Sequence, residues 1–265
     1  MHNPASDNRA LADPSGARQA LRPPRRIAIA SGKGGVGKTW FAITLAHALA
    51  RGGARVLLFD GDLGLANIDI QLGLCPLHDL SGVLAGRVGL SAACHHLAAA
   101  GFDVLPGRSG SGVLASVPPP RLEWLLDGLA SLGHDVLIMD LGAGLDRATR
   151  RLAAWADTLL VVATDEPTSL TDAYAVLKLH AADQGSADVR VVINQAASAA
   201  AGQRTFATLE RACVQFLGRA PVLAGVIRRD ERVRDAIRRQ TPLLTRHPAC
   251  AAAEDVERVS KSLFS

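Results

Sequence analysis

A doubly wound, mainly parallel α/β sheet is the fold this sequence predicts, and three observations predict it. Short apolar runs that read as buried strands recur along the chain at 26–30, 55–60, 135–140, 158–163 and 189–194, separated by stretches with helical spacing. Three of these runs end in a polar residue, Asp60, Asp140 or Asn194, at the carboxyl end where open α/β sheets hold their ligands. A glycine loop, Ser31-Gly32-Lys33-Gly34-Gly35-Val36-Gly37-Lys38-Thr39, joins the first run to a helix-like run, Trp40–Leu49. With 265 residues and 48% hydrophobic content, the chain can bury one large core.

The elements follow in order. Residues 1–25 are polar and proline-broken and read as a flexible arm with one short helix around 15–21. Residues 26–248 form the predicted domain and 249–265 a C-terminal helix packed on or extending it. After the loop and first helix, 55–60 is a buried strand leading into Asp60-Gly61-Asp62-Leu63-Gly64-Leu65-Ala66-Asn67. Residues 75–117 are irregular, with a strand at 102–105. Pro118-Pro119-Pro120 starts a helix through Leu129. Strands 135–140 and 158–163 follow, then a helix to His180 with Thr168 or Ser169 as its cap. Strand 189–194, helix 203–217, strand 222–226 and an Arg-rich helix start at 228–239 complete the pattern. In that last stretch Asp230–Arg234 and Asp235–Arg239 stand at i,i+4 and compensate charge locally.

The glycine loop fits G-x-x-x-x-G-K-S/T, and its setting between strand and helix is the one a phosphate-binding loop requires. Glycines let main-chain N–H groups turn inward as an anion nest, and the helix N-terminus adds partial positive charge. The candidate nucleotide-binding set is Gly32, Lys33, Gly34, Gly35, Val36, Gly37, Lys38, Thr39, Trp40 and Asn194. Lys38 would reach the β/γ-phosphates. Thr39, Asp60 and Asp140 are the candidate Mg²⁺ ligands, Asp60 acting through water. Asp62, just past its strand, would orient the attacking water. Asn194 is placed to touch a base, and the absence of a guanine-reading N-K-x-D pattern favours adenine, hence ATP. Gly32-x-Gly34-x-x-Gly37 also fits the dinucleotide pattern G-x-G-x-x-G, with Asp60 near the ribose-binding position. That reading leaves Lys38, Thr39 and Asp140 without roles.

Lysine occurs at only four positions, 33, 38, 178 and 261, and two of them lie in the glycine loop. A compact ammonium suits a tight phosphate nest better than a planar guanidinium. The formal charge of +4 reads as an Arg-rich solvated surface rather than a nucleic-acid footprint. Cys75, Cys94, Cys213 and Cys250 are widely spaced, which argues against a zinc site or disulfide framework. His95 and His96 lack acidic or cysteine company in sequence and read as ordinary surface residues. With no signal-like or spanning apolar run, a cytoplasmic protein is expected.

Lys33, early in the loop, resembles the extra lysine of the deviant Walker A motif of the MinD/ParA ATPases. Asp60–Asn67 resembles that family's switch I, and Asp140 its Walker B acid. The resemblance implies an ATP-dependent homodimer in which Lys33 reaches the partner subunit's nucleotide, with Lys33, Lys38 and Asp62 as the catalytic set. The stretches 62–69, 142–144 and 166–174 are similar to the flagellar number regulators of the FlhG (FleN) branch. That likeness implies control of flagellar number or placement. The implied partners are the flagellar GTPase FlhF, flagellar switch/C-ring proteins or a flagellar transcription regulator, with a transient membrane surface and no direct nucleic-acid binding. Two alternatives share the loop: a ParA/MinD-like partition or positioning ATPase, and an ATP-dependent amidoligase of the cobyrinate type. Three features depart from the family. Gln19-Ala20-Leu21-Arg22 only faintly matches its FlhF-contacting element. Arg228 stands where proline usually flanks the base, from which a looser base pocket is expected. The tail is short and poorly basic.

Overall fold

Strict alternation along the strands divides the molecule into three layers. In β1 (Arg25–Ser31), Ile27 and Ile29 face one helical layer while Ala28 and Ala30 face the other. The same alternation holds in β2 (Val56–Gly61), where Leu58 goes with the first set and Leu57 and Phe59 with the second. A computed structural model describes residues 23–62, 66–107, 117–144, 146–183 and 185–264. The proposed arm up to residue 22 and Leu63, Gly64 and Leu65 of the acidic stretch lie outside the described residues.

The chain runs from β1 through α1 (Lys38–Arg51), β2, α2 (Ile68–Leu72) and α3 (Leu80–Leu84) to β3 (His95–Leu97) and β4 (Phe102–Leu105). It continues through α4 (Pro119–Ala130), β5 (Val136–Ala143), α5 (Arg147–Trp155), β6 (Thr158–Ala163), α6 (Pro167–Ala182), β7 (Asp188–Ala196) and α7 (Ala199–Leu217). It ends with β8 (Val222–Arg228), α8 (Glu231–Arg238), α9 (Leu243–Arg246) and α10 (Ala251–Ser262). Among the described residues, eight strands order as β3-β4-β2-β5-β1-β6-β7-β8, and every pair is parallel except β3 with β4. α1, α2, α8, α9 and α10 cover one face; α3 to α7 cover the other. β1 therefore sits inside the sheet between β5 and β6, and the loop leaving it opens at the carboxyl edge.

The irregular stretch at 75–117 holds more order than its sequence suggests. Asp79 caps α3 by accepting from the Gly82 N–H at 2.9 Å. His95 and His96 belong to the antiparallel edge strand β3. There His96 Nδ1 meets Asp103 Oδ1 at 2.7 Å, and His134 Nε2 meets Asp103 Oδ2 at 2.8 Å. The expected cap of α6 needs correction. Neither Thr168 nor Ser169 caps it, because Pro167 starts the helix and Ser169 Oγ instead accepts from the Thr164 N–H at 3.0 Å.

The tail becomes α10 and docks into the first layer. Ala252, Ala253, Val256, Val259 and Leu263 are buried there against α1 and β8, while Phe264 remains about half exposed. Among the described residues no helix is long and apolar enough to cross a membrane, and the cysteines are free.

Candidate nucleotide site

The loop between β1 and α1 is shaped from within and braced from outside. Gly35 and Gly37 take left-handed φ of 78° and 91°, which turns the chain tightly into α1. Ser31 Oγ donates to Lys33 O at 2.6 Å. Asn194, at the end of β7, donates from Nδ2 to Val36 O at 2.7 Å and accepts at Oδ1 from the Gln195 N–H at 2.9 Å. A side chain at position 37 would put Cβ 2.5 Å from that Asn194 nitrogen. The amide of Asn194 thus fastens the loop, and its neighbour Gln195, with φ of 57°, lines the cavity beside it.

α1 opens with no acidic residue in its first turn and no side-chain cap on Gly37. Its N-terminal N–H groups are therefore open to an anion, with Lys38 at the first helical position. Gly32 lies against α6, where an added Cβ would fall 2.4 Å from the Asp172 carbonyl oxygen. Since that contact is main chain, the loop would have to move. Gly32→Ala is expected to leave the fold intact and weaken nucleotide binding roughly tenfold or more, read by fluorescence titration beside a melting curve.

Two carboxylates lie side by side beneath the loop, Asp60 on β2 in register with Asp140 on β5. Both are buried. Asp60 accepts from the N–H of Asp62 at 3.2 Å, Asn67 at 3.1 Å and Ile68 at 3.1 Å, so it ties Asp62 and the start of α2 to the end of β2. Burial and the Asp140 charge still push its carboxyl up to about 7, against the pull of those hydrogen bonds. Burial pushes Asp140 up to about 6, opposed by a hydrogen bond from the Thr39 hydroxyl and by the Lys38 charge. Asp140 Oδ1 is buried without a hydrogen-bond partner among the described residues. A buried, partnerless carboxylate oxygen beside a threonine hydroxyl fits a hard divalent cation bound next to phosphate. Asp62 sits at the mouth of this group, close enough to Gly142 that a Cβ there would meet its Oδ1 at 3.3 Å.

Lys33 takes a different course from Lys38. Its ammonium leaves the loop and binds Glu166 and, at 3.0 Å, the Thr168 hydroxyl, both where β6 turns into α6. The partners of Lys33 and the brace on Val36 escaped sequence reasoning because each joins positions more than a hundred residues apart. On the other side of the loop a cavity of about 310 Å³ is lined by Trp40, Asn194, Gln195 and residues from 228–231 and 233–234. Trp40 is itself buried, in the first turn of α1. The guanidinium of Arg228, where a looser pocket was expected, is bound to α10.

A model of the CobQ/CobB/MinD/ParA nucleotide binding domain matches residues 27–243. The chain belongs to this family. As a MinD/ParA-type P-loop protein it is 37% identical over 248 residues to the antiactivator FleN of Pseudomonas aeruginosa, covering 93% of this chain and 88% of FleN. It is 31% identical to the flagellum site-determining protein YlxH of Helicobacter pylori over 69% of this chain and 62% of YlxH. The septum site-determining protein MinD of Pyrococcus horikoshii, solved as a Mg-ADP complex, superposes with a TM-score of 0.76 at 25% identity, covering 91% of this chain and 96% of that one. The MinD/ParA membership and the doubly wound sheet expected from the sequence are thus both found, and the dinucleotide reading falls away.

Proposed function

We propose that this chain is a Mg²⁺-dependent ATPase that works as a dimer switch and controls flagellar number or placement in the cytoplasm. The observation that carries the switch is the course of Lys33: a second loop lysine points out of the cradle and rests on Glu166 and Thr168 at the surface. Exposed ion pairs of this kind hold only weakly, so Lys33 can be drawn to a stronger anion when a partner brings one. In this reading the loop N–H groups and Lys38 hold the β/γ-phosphates, and Lys33 reaches the partner subunit's nucleotide. Thr39 and Asp140, with Asp60 through water, would hold Mg²⁺, which when bound offsets charge on the phosphoryl oxygens. Asp62 orients the water. Similarity to FleN over nearly the whole chain supports the flagellar output, with FlhF, switch/C-ring proteins or a transcription regulator as partners. A membrane contact through α10 would have to expose Val256, Val259 and Leu263, which are buried in the core, so partner proteins are the preferred targets.

Size-exclusion chromatography tests the switch. Asp62→Ala with ATP and Mg²⁺ is expected to run as a dimer and without nucleotide as a monomer. Lys33→Ala should stay monomeric while still binding ATP. A monomer under every condition sinks the switch. Flagella counted by electron microscopy in cells lacking the chain test the output, and an unchanged number and position removes that part.

A further inference from the structure

Arg228 ends β8 at the cavity beside the phosphate loop, yet its guanidinium is bound to α10. Its main-chain N–H donates to Asp255 Oδ2 at 2.8 Å, its Nε to the same oxygen at 2.8 Å, and its Nη2 to Asp255 Oδ1 at 3.0 Å. The same Nη2 also reaches Ala251 O at 3.2 Å and Glu254 Oε2 at 3.4 Å. Asp255 is almost fully buried, at 2% exposure, and takes a further bond from Arg258 of its own helix. A buried carboxylate held by a two-pronged guanidinium and a main-chain N–H is geometrically strict, because loss of any prong leaves buried charge poorly paired.

In the same segment Asp230 caps α8 by accepting from the Arg232 N–H at 3.0 Å. Against the effect of burial, the main-chain N–H groups of Arg232 and of Ala252 in α10 hold its carboxyl below the ordinary range. Gly225 lets the helix come this close, since a Cβ there would meet Val259 Cγ2 at 2.5 Å. The segment 228–231 is therefore fastened to α10 through Arg228, and that segment is one wall of the 310 Å³ cavity. The opposite wall is Gly35, Gly37 and Trp40 of the loop and α1. The phosphate cradle itself rests on β1, α1 and Asn194 and makes none of these contacts with Asp255.

We propose that Arg228 is a positioning residue for the nucleoside end of the ligand. By gripping Asp255 it holds segment 228–231 at the distance a base and ribose need, and α10 becomes the support behind that wall. The inference rests on the nucleotide-binding reading above. It assigns the C-terminal helix a part in recognising the nucleoside, separate from the binding of the phosphates.

The consequence is a split between two ligands that share a phosphate end. Isothermal titration of the whole chain with Mg²⁺ compares ATP with inorganic tripolyphosphate for the wild type, Arg228→Lys and the double variant Arg228→Gln/Asp255→Asn. Arg228→Lys keeps the charge and loses the fork; the double variant removes both charges of the pair, the buried Asp255 carboxylate included, and so guards against simple unfolding. ATP affinity is expected to fall roughly tenfold in each variant, with tripolyphosphate affinity held within about twofold. Equal losses for both ligands, or unchanged ATP affinity, overturn the clamp. A wild type that binds tripolyphosphate as tightly as ATP shows that the cavity recognises no nucleoside and also overturns it. A wild type that binds neither removes the nucleotide reading itself, and the clamp with it.

Discussion

Replacing Lys38 with alanine is expected to weaken ATP binding roughly 100-fold or more, because charge-assisted hydrogen bonds to phosphate contribute about 1.5–3 kcal/mol each and Lys38 is placed to make more than one. Its position leaves little room for substitutes. It is the first residue of α1, buried behind a glycine with φ of 91°, and its charge acts on Asp140. Arginine should not rescue it, since a planar guanidinium is wider than the ammonium this narrow turn encloses. Lys33→Ala is the control, because Lys33 rests on Glu166 outside the cradle; its loss should leave ATP affinity within about threefold of wild type. Fluorescence titration with a labelled nucleotide reads both. A Lys38→Ala chain that binds ATP as well as Lys33→Ala would place the phosphates somewhere other than this loop.

The contrast between the two lysines marks where sequence reasoning ends. That Lys38 is a candidate for holding a phosphate can be read from local spacing alone, since loop, strand and helix are contiguous. The strands were legible for the same reason: β6 occupies Thr158–Ala163, the run read as apolar, and Asp60 and Asp140 fall on neighbouring strands in register. What stayed hidden depends on pairings that no window of sequence contains. β3 is three residues long, too short for alternation to register, and it exists because β4 lies beside it. Asn194, read from sequence as a base contact, does line the cavity beside the loop, and only the fold shows that Val36 O is also within its reach. The tail's apolar residues read equally well as an exposed or a buried stripe until Gly225 admits Val259 beneath them. Arg228 read from sequence only as a departure from the family, and its partner Asp255, distant in sequence, is visible only in the fold.

The same pairing of Asp60 and Asp140 predicts an unusual response to mutation. Asp140→Asn is expected to stabilise the ligand-free chain at pH 8 while abolishing ATP turnover. Burial raises Asp140 from the ordinary 3.8 to about 6, and burial with the Asp140 charge raises Asp60 to about 7. A carboxyl whose pKa is raised on folding favours the folded state when protonated. Its contribution is complete below about pH 3.8 and is lost as pH rises through about 6 for Asp140 and about 7 for Asp60. At pH 8 the ligand-free fold therefore holds two adjacent buried charges. Asparagine removes one and relieves the other, a gain on the order of 2 kcal/mol, or roughly 4–8 °C in Tm for a chain of this size. At pH 5 Asp140 is mostly protonated already and the gain should shrink toward zero. Adding ATP and Mg²⁺ should reverse the order at pH 8. The wild type gains stability from a ligand that uses the Asp140 charge, and the variant gains less while its turnover falls roughly 100-fold or more. Scanning calorimetry at the two pH values, with and without ligand, measures all four cases. A ligand-free Asp140→Asn chain that melts below wild type at pH 8 would mean that the carboxylate is already neutralised within the fold, by Lys38 and Thr39. The orphaned Oδ1 would then no longer argue for a cation.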